Sequence, residues 1–138
     1  MSKYTTEVLR SVALVGHGAV GKTSLAEALL FATGTISAKG SVEKGNTVAD
    51  FDAQEKEAGH SLTSAVMNFA YDDTRVHLID TPGYPDFSGQ AIAALAGVDT
   101  ALIVVNAQTG VELMTERMMR YAAERKLCRM IVINKIDA

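Results

Sequence analysis

Eight residues constrain this chain more than any others: Gly16-His17-Gly18-Ala19-Val20-Gly21-Lys22-Thr23. They fit the spacing G-x-x-x-x-G-K-[ST], a loop that cradles phosphates. The run before it, Val8-Leu9-Arg10-Ser11-Val12-Ala13-Leu14-Val15, reads as a strand. The run after it, Ser24-Leu25-Ala26-Glu27-Ala28-Leu29-Leu30-Phe31, reads as a helix. That strand–loop–helix context separates a working loop from a Gly-rich turn that ends in Lys-Thr by chance. Glycines let the backbone curl until successive N–H groups face a polyphosphate, and the helix N-terminus adds partial positive charge. Lys22 supplies a full charge to the outer phosphates, and Thr23 offers a hydroxyl to Mg2+. Gly16 through Ser24 are therefore the expected phosphate contacts.

The 138 residues suffice for one domain with a real core, and 48% hydrophobic content suits a globular protein. The net charge of −3 implies no strongly basic face, which argues against direct, sequence-specific reading of nucleic acid. It leaves open a nucleoprotein partner contacted by other domains. The single cysteine, Cys128, cannot form an intrachain disulfide and fits a reducing compartment. Its place at the start of an apolar strand predicts a small core residue. Residues 1–7 lack the apolar run of a signal peptide, and runs such as Ala101–Val105 are too short to span a bilayer. A cytoplasmic protein with no membrane partner is expected.

Along the chain, strand and helix alternate. A helix over about 22–33 carries Leu25, Ala28, Leu29 and Ala32 at helical spacing, with Gly34 as its stop. Residues 34–61 lack periodicity and read as a functional or mobile loop. Residues 63–70 and 75–80 read as strands joined by a tight Asp72-Asp73 turn, an antiparallel hairpin. A short helix spans about 86–96. Residues 100–106 form a nearly uniform apolar run that suits a central parallel strand. A helix over about 111–125 places Val111, Met114, Met118, Tyr121 and Ala122 on one side, the methionines as core filler. Residues 129–133 read as another buried strand. The fold class is α/β: a P-loop NTPase with a three-layer, doubly wound, mostly parallel sheet and one antiparallel hairpin strand.

Two further motifs carry chemistry. Asp80-Thr81-Pro82-Gly83 ends a buried strand, where open α/β sheets bind ligands. Asp80 can hold Mg2+ through a water, and Gly83 can bring a bare backbone N–H to the terminal phosphate. Asn134-Lys135-Ile136-Asp137 is an N-K-x-D. A carboxylate at Asp137 can accept from guanine N1–H and its exocyclic amine together, a donor pair that adenine lacks. Asn134 can bond the base or brace the loop, and the stem of Lys135 can lie along the base plane. The expected ligand is GTP or GDP with Mg2+, and an ATPase is disfavoured.

These three motifs in this order resemble the start of the G domain of translational GTPases, most closely elongation factor G. The likeness runs from about Val8 to the last residue. It includes Gly16-His17, Asn46-Thr47-Val48-Ala49-Asp50, Gln54-Glu55-Lys56-Glu57, and Asp86-Phe87 after Asp80-Thr81-Pro82-Gly83. The resemblance implies switch I at about 34–63, switch II at about 80–97, GTP hydrolysis, and the ribosome as partner in translocation or recycling. Such switch I segments read Arg-Gly-Ile-Thr, whereas this chain has Ala58-Gly59-His60-Ser61. Ser61 keeps the metal-sensing hydroxyl, so the implied metal ligands are Thr23, Ser61 and Asp80. His60 reads either as a functional replacement or as a solvent-facing loop residue. Tyr84 stands where the family has a water-positioning His, and Ala19 stands in place of an Asp. A phenol, with an ordinary pKa near ~10, hydrogen-bonds water but lacks an imidazolium's chemistry.

The expected reading is a divergent paralogue and a G domain incomplete at its C-terminus, since the Ser-Ala loop that backs the guanine in this family is not reached. The remaining domains of the full-length protein would then cover its sheet edge, and without them weakened affinity and self-association are expected. Lys22 and Tyr84 are the candidate catalytic residues. The alternative is a GTP-binding regulatory module with little or no GTPase activity.

Overall fold

The computed structural model describes residues 5–49, 55 and 60–137. The strands and α-helices with described bounds are, in chain order, β1 (Leu9–Val15), α1 (Lys22–Ala32), β2 (Ala65–Tyr71), β3 (Thr74–Asp80), α2 (Ser88–Ala96), β4 (Thr100–Asn106), α3 (Leu113–Glu124) and β5 (Cys128–Asn134). One sheet of order β2-β3-β1-β4-β5 holds all five strands. Only β2 runs antiparallel to its neighbour; β3, β1, β4 and β5 are mutually parallel. From β1 the chain builds first to one side, through β3, and then to the other, through β4. The strand order thus reverses at β1, and its carboxyl end opens the crevice in which such sheets take ligands. Among the described residues, no helix is long and apolar enough to cross a membrane.

Side chains alternate across β1, so each face of the sheet has its own core. Ala13 and Val15 face α2 and α3, where Leu95, Ile103, Met114 and Met118 pack together. Leu14 faces α1 and joins Val20, Leu30, Phe69, Leu78 and Val104. The result is three layers, as the alternating pattern predicts. Local chemistry sets the ends of elements. Gly34, at φ +69°, closes α1 by donating its N–H to the Phe31 carbonyl. Asp72, at φ +49°, makes the two-residue hairpin turn between Tyr71 and Thr74. β2 begins at Ala65 rather than at residue 63, because the Thr63 N–H donates to the Glu55 carboxylate instead of to the ladder.

Three expectations about burial are corrected. α1 buries Lys22, Ala26, Glu27 and Leu30, while Leu25 and Leu29 are half-buried and Ala32 is exposed. The helix is turned because its first residue must face the loop before it. Val111 precedes α3 and is exposed, although Met114, Met118 and Ala122 are core as expected. β5 is an edge strand rather than a buried one: Met130, Ile131 and Ile133 are more than half exposed, and Cys128 is exposed too. Among the described residues, β5 pairs with β4 alone and is touched by α3, which leaves most of its apolar side chains open to water.

Candidate functional site

The loop from Gly16 to Gly21 leaves the carboxyl end of β1 and curls back on itself. Gly16 takes φ +143°, and a Cβ there would collide with the Val104 carbonyl of the adjacent strand. Gly21 takes φ +94° directly before α1, where a Cβ would collide with the Asn134 side-chain amide. These are positions where only glycine fits. Ala19 also adopts a positive φ of +58°, in the left-handed region. Val20 turns its side chain into the core, so only its backbone is available to the site.

Lys22, the first residue of α1, is almost fully buried. Its Nζ donates to the carbonyls of Gly16 (3.2 Å) and His17 (2.7 Å), which arches the loop around the ammonium. Burial pushes its pKa down to about 8, against the opposing pull of the Asp80 carboxylate. Thr23, one residue on, donates from Oγ1 to Asp80 Oδ2 at 2.6 Å and lies 3.3 Å from Ser61 Oγ. Thr23, Asp80 and Ser61 come from α1, the end of β3 and the loop before β2, and they meet in front of the phosphate loop. Two hydroxyls and one carboxylate are hard oxygen donors. They fit Mg2+, which keeps waters and substrate phosphates in its remaining positions. Among the described residues, no cluster of three or more His, Cys, Asp or Glu forms the nitrogen- or sulfur-rich site a softer metal would need.

Gly83 sits against this arrangement. A Cβ there would collide with Lys22 Nζ and lie 2.5 Å from the His17 carbonyl oxygen. Its neighbour Tyr84 lays its ring over Gly18, so close that a Cβ on Gly18 would be 2.8 Å from the phenol carbon Cζ. The same ring meets His60 with centroids 4.5 Å apart, and the Phe87 ring centroid stands 6.2 Å from that of His60. His60 is therefore packed among the rings of the segment after β3, not directed freely into solvent.

The last motif divides. Asn134, at the end of β5, donates from Nδ2 to the Val20 carbonyl at 2.9 Å, so of its two possible roles it braces the loop. Lys135 lines the cavity at φ +57°, and Asp137 lies exposed in the turn beyond it. Together with Gly18, Ser24, Ser61, Gly83 and Tyr84, Lys135 encloses an open cavity of about 270 Å³. Asp50, Gln54, Lys56, Glu57, Ala58 and Gly59 lie outside the described residues.

Sequence reasoning missed four residues here. Thr81 donates from Oγ1 to the Leu14 carbonyl at 2.6 Å, tying the end of β3 to β1. Glu112 places Oε1 3.7 Å from His17 Nε2. Glu27 is buried in α1 and accepts from the backbone N–H groups of Gly40 and Val48. Glu43, with Val42, lines the cavity from the loop after α1. Thr81 stands within the Asp80–Gly83 motif but had been given no role, and the others stand in no motif. A glutamate within an otherwise apolar helical run, as Glu27 is, was the one available signal.

A phosphate-cradling loop at the switch point of a doubly wound sheet defines the P-loop NTPase class. Within it, a family model described as the elongation factor Tu GTP-binding domain matches residues 7–138, and this chain belongs to that family of translational GTPases, whose ligand is a guanine nucleotide. An elongation factor G-like protein of Mycobacterium tuberculosis is 43% identical over 129 residues, 94% of this chain and 18% of that protein. A mitochondrial ribosome-releasing factor 2 of Yarrowia lipolytica is 35% identical over 99% of this chain and 17% of its own length. Elongation factor G of Petrotoga mobilis is 39% identical over 97% of this chain and 19% of its own. Among solved structures, a Thermus thermophilus protein superposes with TM-score 0.89 at 41% identity, covering 91% of this chain and 19% of that one. The chain thus spans less than a fifth of the length of these relatives.

Proposed function

We propose that this chain is the nucleotide switch of a ribosome-associated GTPase that cleaves GTP during translocation or ribosome recycling. The observation that carries the reading is the meeting of Ser61 with Thr23 and Asp80 in front of the phosphate loop. A hydroxyl from the loop before β2 and a carboxylate from the end of β3, gathered at one point, suit a sensor for the terminal phosphate. The loop amides of Gly16–Thr23 and the Lys22 ammonium stabilise phosphate charge, with Ser24 continuing the phosphate-facing backbone. Thr23, Ser61 and Asp80 would hold Mg2+, which when bound neutralises charge on the outer phosphates. The Gly83 N–H faces the terminal phosphate, and Asp137 and Lys135 take the guanine base while Asn134 holds the loop. Residues 34–63 act as switch I and 80–97 as switch II, within a G domain that works as part of a longer, soluble cytoplasmic protein. Most of the rate enhancement is positional and electrostatic.

A second reading, a GTP-binding regulatory module that hydrolyses poorly, is favoured by Tyr84, whose ring covers Gly18 where the resemblance implies a water-positioning imidazole. Single-turnover cleavage of GTP by the full-length protein, with and without ribosomes, separates the two. Stimulation by ribosomes is expected, and its absence would overturn the enzyme reading.

A further inference from the structure

The loop between α1 and β2 enters the nucleotide cavity at a place no motif accounts for. Val42 and Glu43 line the cavity alongside Ser24 and Lys135. They lie on a single 3-10 turn, Val42–Lys44, closed by the Lys44 N–H on the Ser41 carbonyl (3.1 Å) and the Gly45 N–H on the Val42 carbonyl (3.0 Å). The Ser41 N–H donates to Asn46 Oδ1 at 2.8 Å, which folds the loop onto itself. The buried Glu27 carboxylate then holds both ends of the loop. Oε2 accepts from the Gly40 N–H at 2.8 Å, and Oε1 accepts from the Val48 N–H. Glu27 belongs to α1, the helix that begins with Lys22 and Thr23. The turn bearing Glu43 is thus anchored to the same helix as the phosphate site.

Glu43 is exposed, so water solvates its carboxylate in the free protein; from the wall of an anion's cavity it meets a bound nucleotide favourably only through a hydrogen-bond donor. Phosphates repel it and offer only acceptors. The donor edge of guanine falls to Asp137 under the reading above, on which this inference rests. The ribose hydroxyls are the remaining donors of the nucleotide. They lie between its phosphate end, marked by Ser24, and its base end, marked by Lys135. Carboxylates accept from ribose hydroxyls in other nucleotide-binding folds. We infer that Glu43 reads the ribose: its carboxylate, held on the loop that Glu27 pins, accepts the 2′- and 3′-hydroxyls and makes the site selective for ribonucleotides.

The test is calorimetric titration of the full-length protein with GDP and with 2′,3′-dideoxy-GDP, so that no label sits on the sugar. A hydrogen bond to a charged acceptor predicts that the dideoxy nucleotide binds about tenfold more weakly. Glu43→Ala brings the two affinities together by weakening GDP alone, and Glu43→Gln, which keeps an acceptor oxygen, retains part of the preference. Equal affinities in the unsubstituted protein, or a preference that survives Glu43→Ala, overturn the assignment. Equal weakening of both nucleotides by Glu43→Ala also overturns it, because the loop's shape and not the hydroxyl contact would then be responsible. Failure to bind GDP at all is a different result and overturns the guanine-nucleotide reading itself. Glu43 is exposed, so the variant's melting temperature is expected to match the unsubstituted protein's.

Discussion

Lys22 offers a prediction whose size follows from its burial. Its pKa is lowered from 10.5 to about 8, chiefly because the ammonium has left water. Below pH 8 the folded protein carries a buried charge that the unfolded chain would solvate. Between pH 8 and 10.5 the folded state binds fewer protons than the unfolded one, so stability rises with pH across that window. The full difference is about 3 kcal/mol. A polyphosphate beside Nζ reverses this logic, because it stabilises the charged form. Free Lys22 is only about one-quarter protonated at pH 8.5, so binding at that pH takes up about 0.75 proton, against about 0.1 at pH 7. The same linkage makes GDP bind about fourfold more weakly at pH 8.5 than at pH 7. Calorimetry in buffers of different ionisation enthalpy reads both quantities. Lys22→Met removes the titrating group, so its weaker binding loses this proton uptake. An affinity that is flat from pH 7 to 8.5, with no proton uptake in the unsubstituted protein, would refute the lowered pKa of Lys22, because an ammonium near its ordinary 10.5 stays charged across that range.

Three further outcomes are expected. Tyr84→His places an imidazole over Gly18 and should raise single-turnover GTP cleavage severalfold in the full-length protein; an unchanged or lower rate in quench-flow assays would give the phenol its own role. Gly83→Ala drives a methyl into Lys22 Nζ and the His17 carbonyl, so GTP affinity should fall at least about tenfold in an equilibrium titration, the scale of overpacking a tight contact. Asp137→Asn removes the acceptor for both guanine donors and should weaken GDP by about a hundredfold or more in competition binding, with xanthosine diphosphate bound better than GDP. Equal affinity of the unsubstituted protein for ADP and GDP would count against the base assignment.

Much of the layout was legible in the residues alone. β1, α1, the β2–β3 hairpin, β4 and α3 lie within about two residues of their predicted spans, because period, glycine stops and the Asp72-Asp73 turn are local signals. The phosphate loop was legible for the same reason, since its glycines and lysine act through backbone geometry within eight residues. Burial was not legible to the same degree. β5 reads as a core strand because Met130, Ile131 and Ile133 are apolar, yet whether an apolar strand is buried depends on what lies over it. Cys128 follows the strand that carries it.

The chain's own order of residues determined a phosphate loop on a strand–helix junction and a mostly parallel sheet, and it ends on the N-K-x-D motif from which a guanine ligand is expected. The tertiary structure alone decided which side chains meet. Ser61 is 38 residues from Thr23, and Asp80 is 57 from it, so their contact depends on how the intervening chain folds back. Asn134 had two chemically reasonable partners, and the approach of β5's end to Gly21 selected the Val20 carbonyl. Glu27 looked like an ordinary helix carboxylate, but α1 turns it inward to collect the backbone N–H groups of Gly40 and Val48. Backbone partners have no side-chain signature to read. That is why the loop presenting Glu43 emerged only from the fold, whereas the loop that begins at Gly16 announced itself.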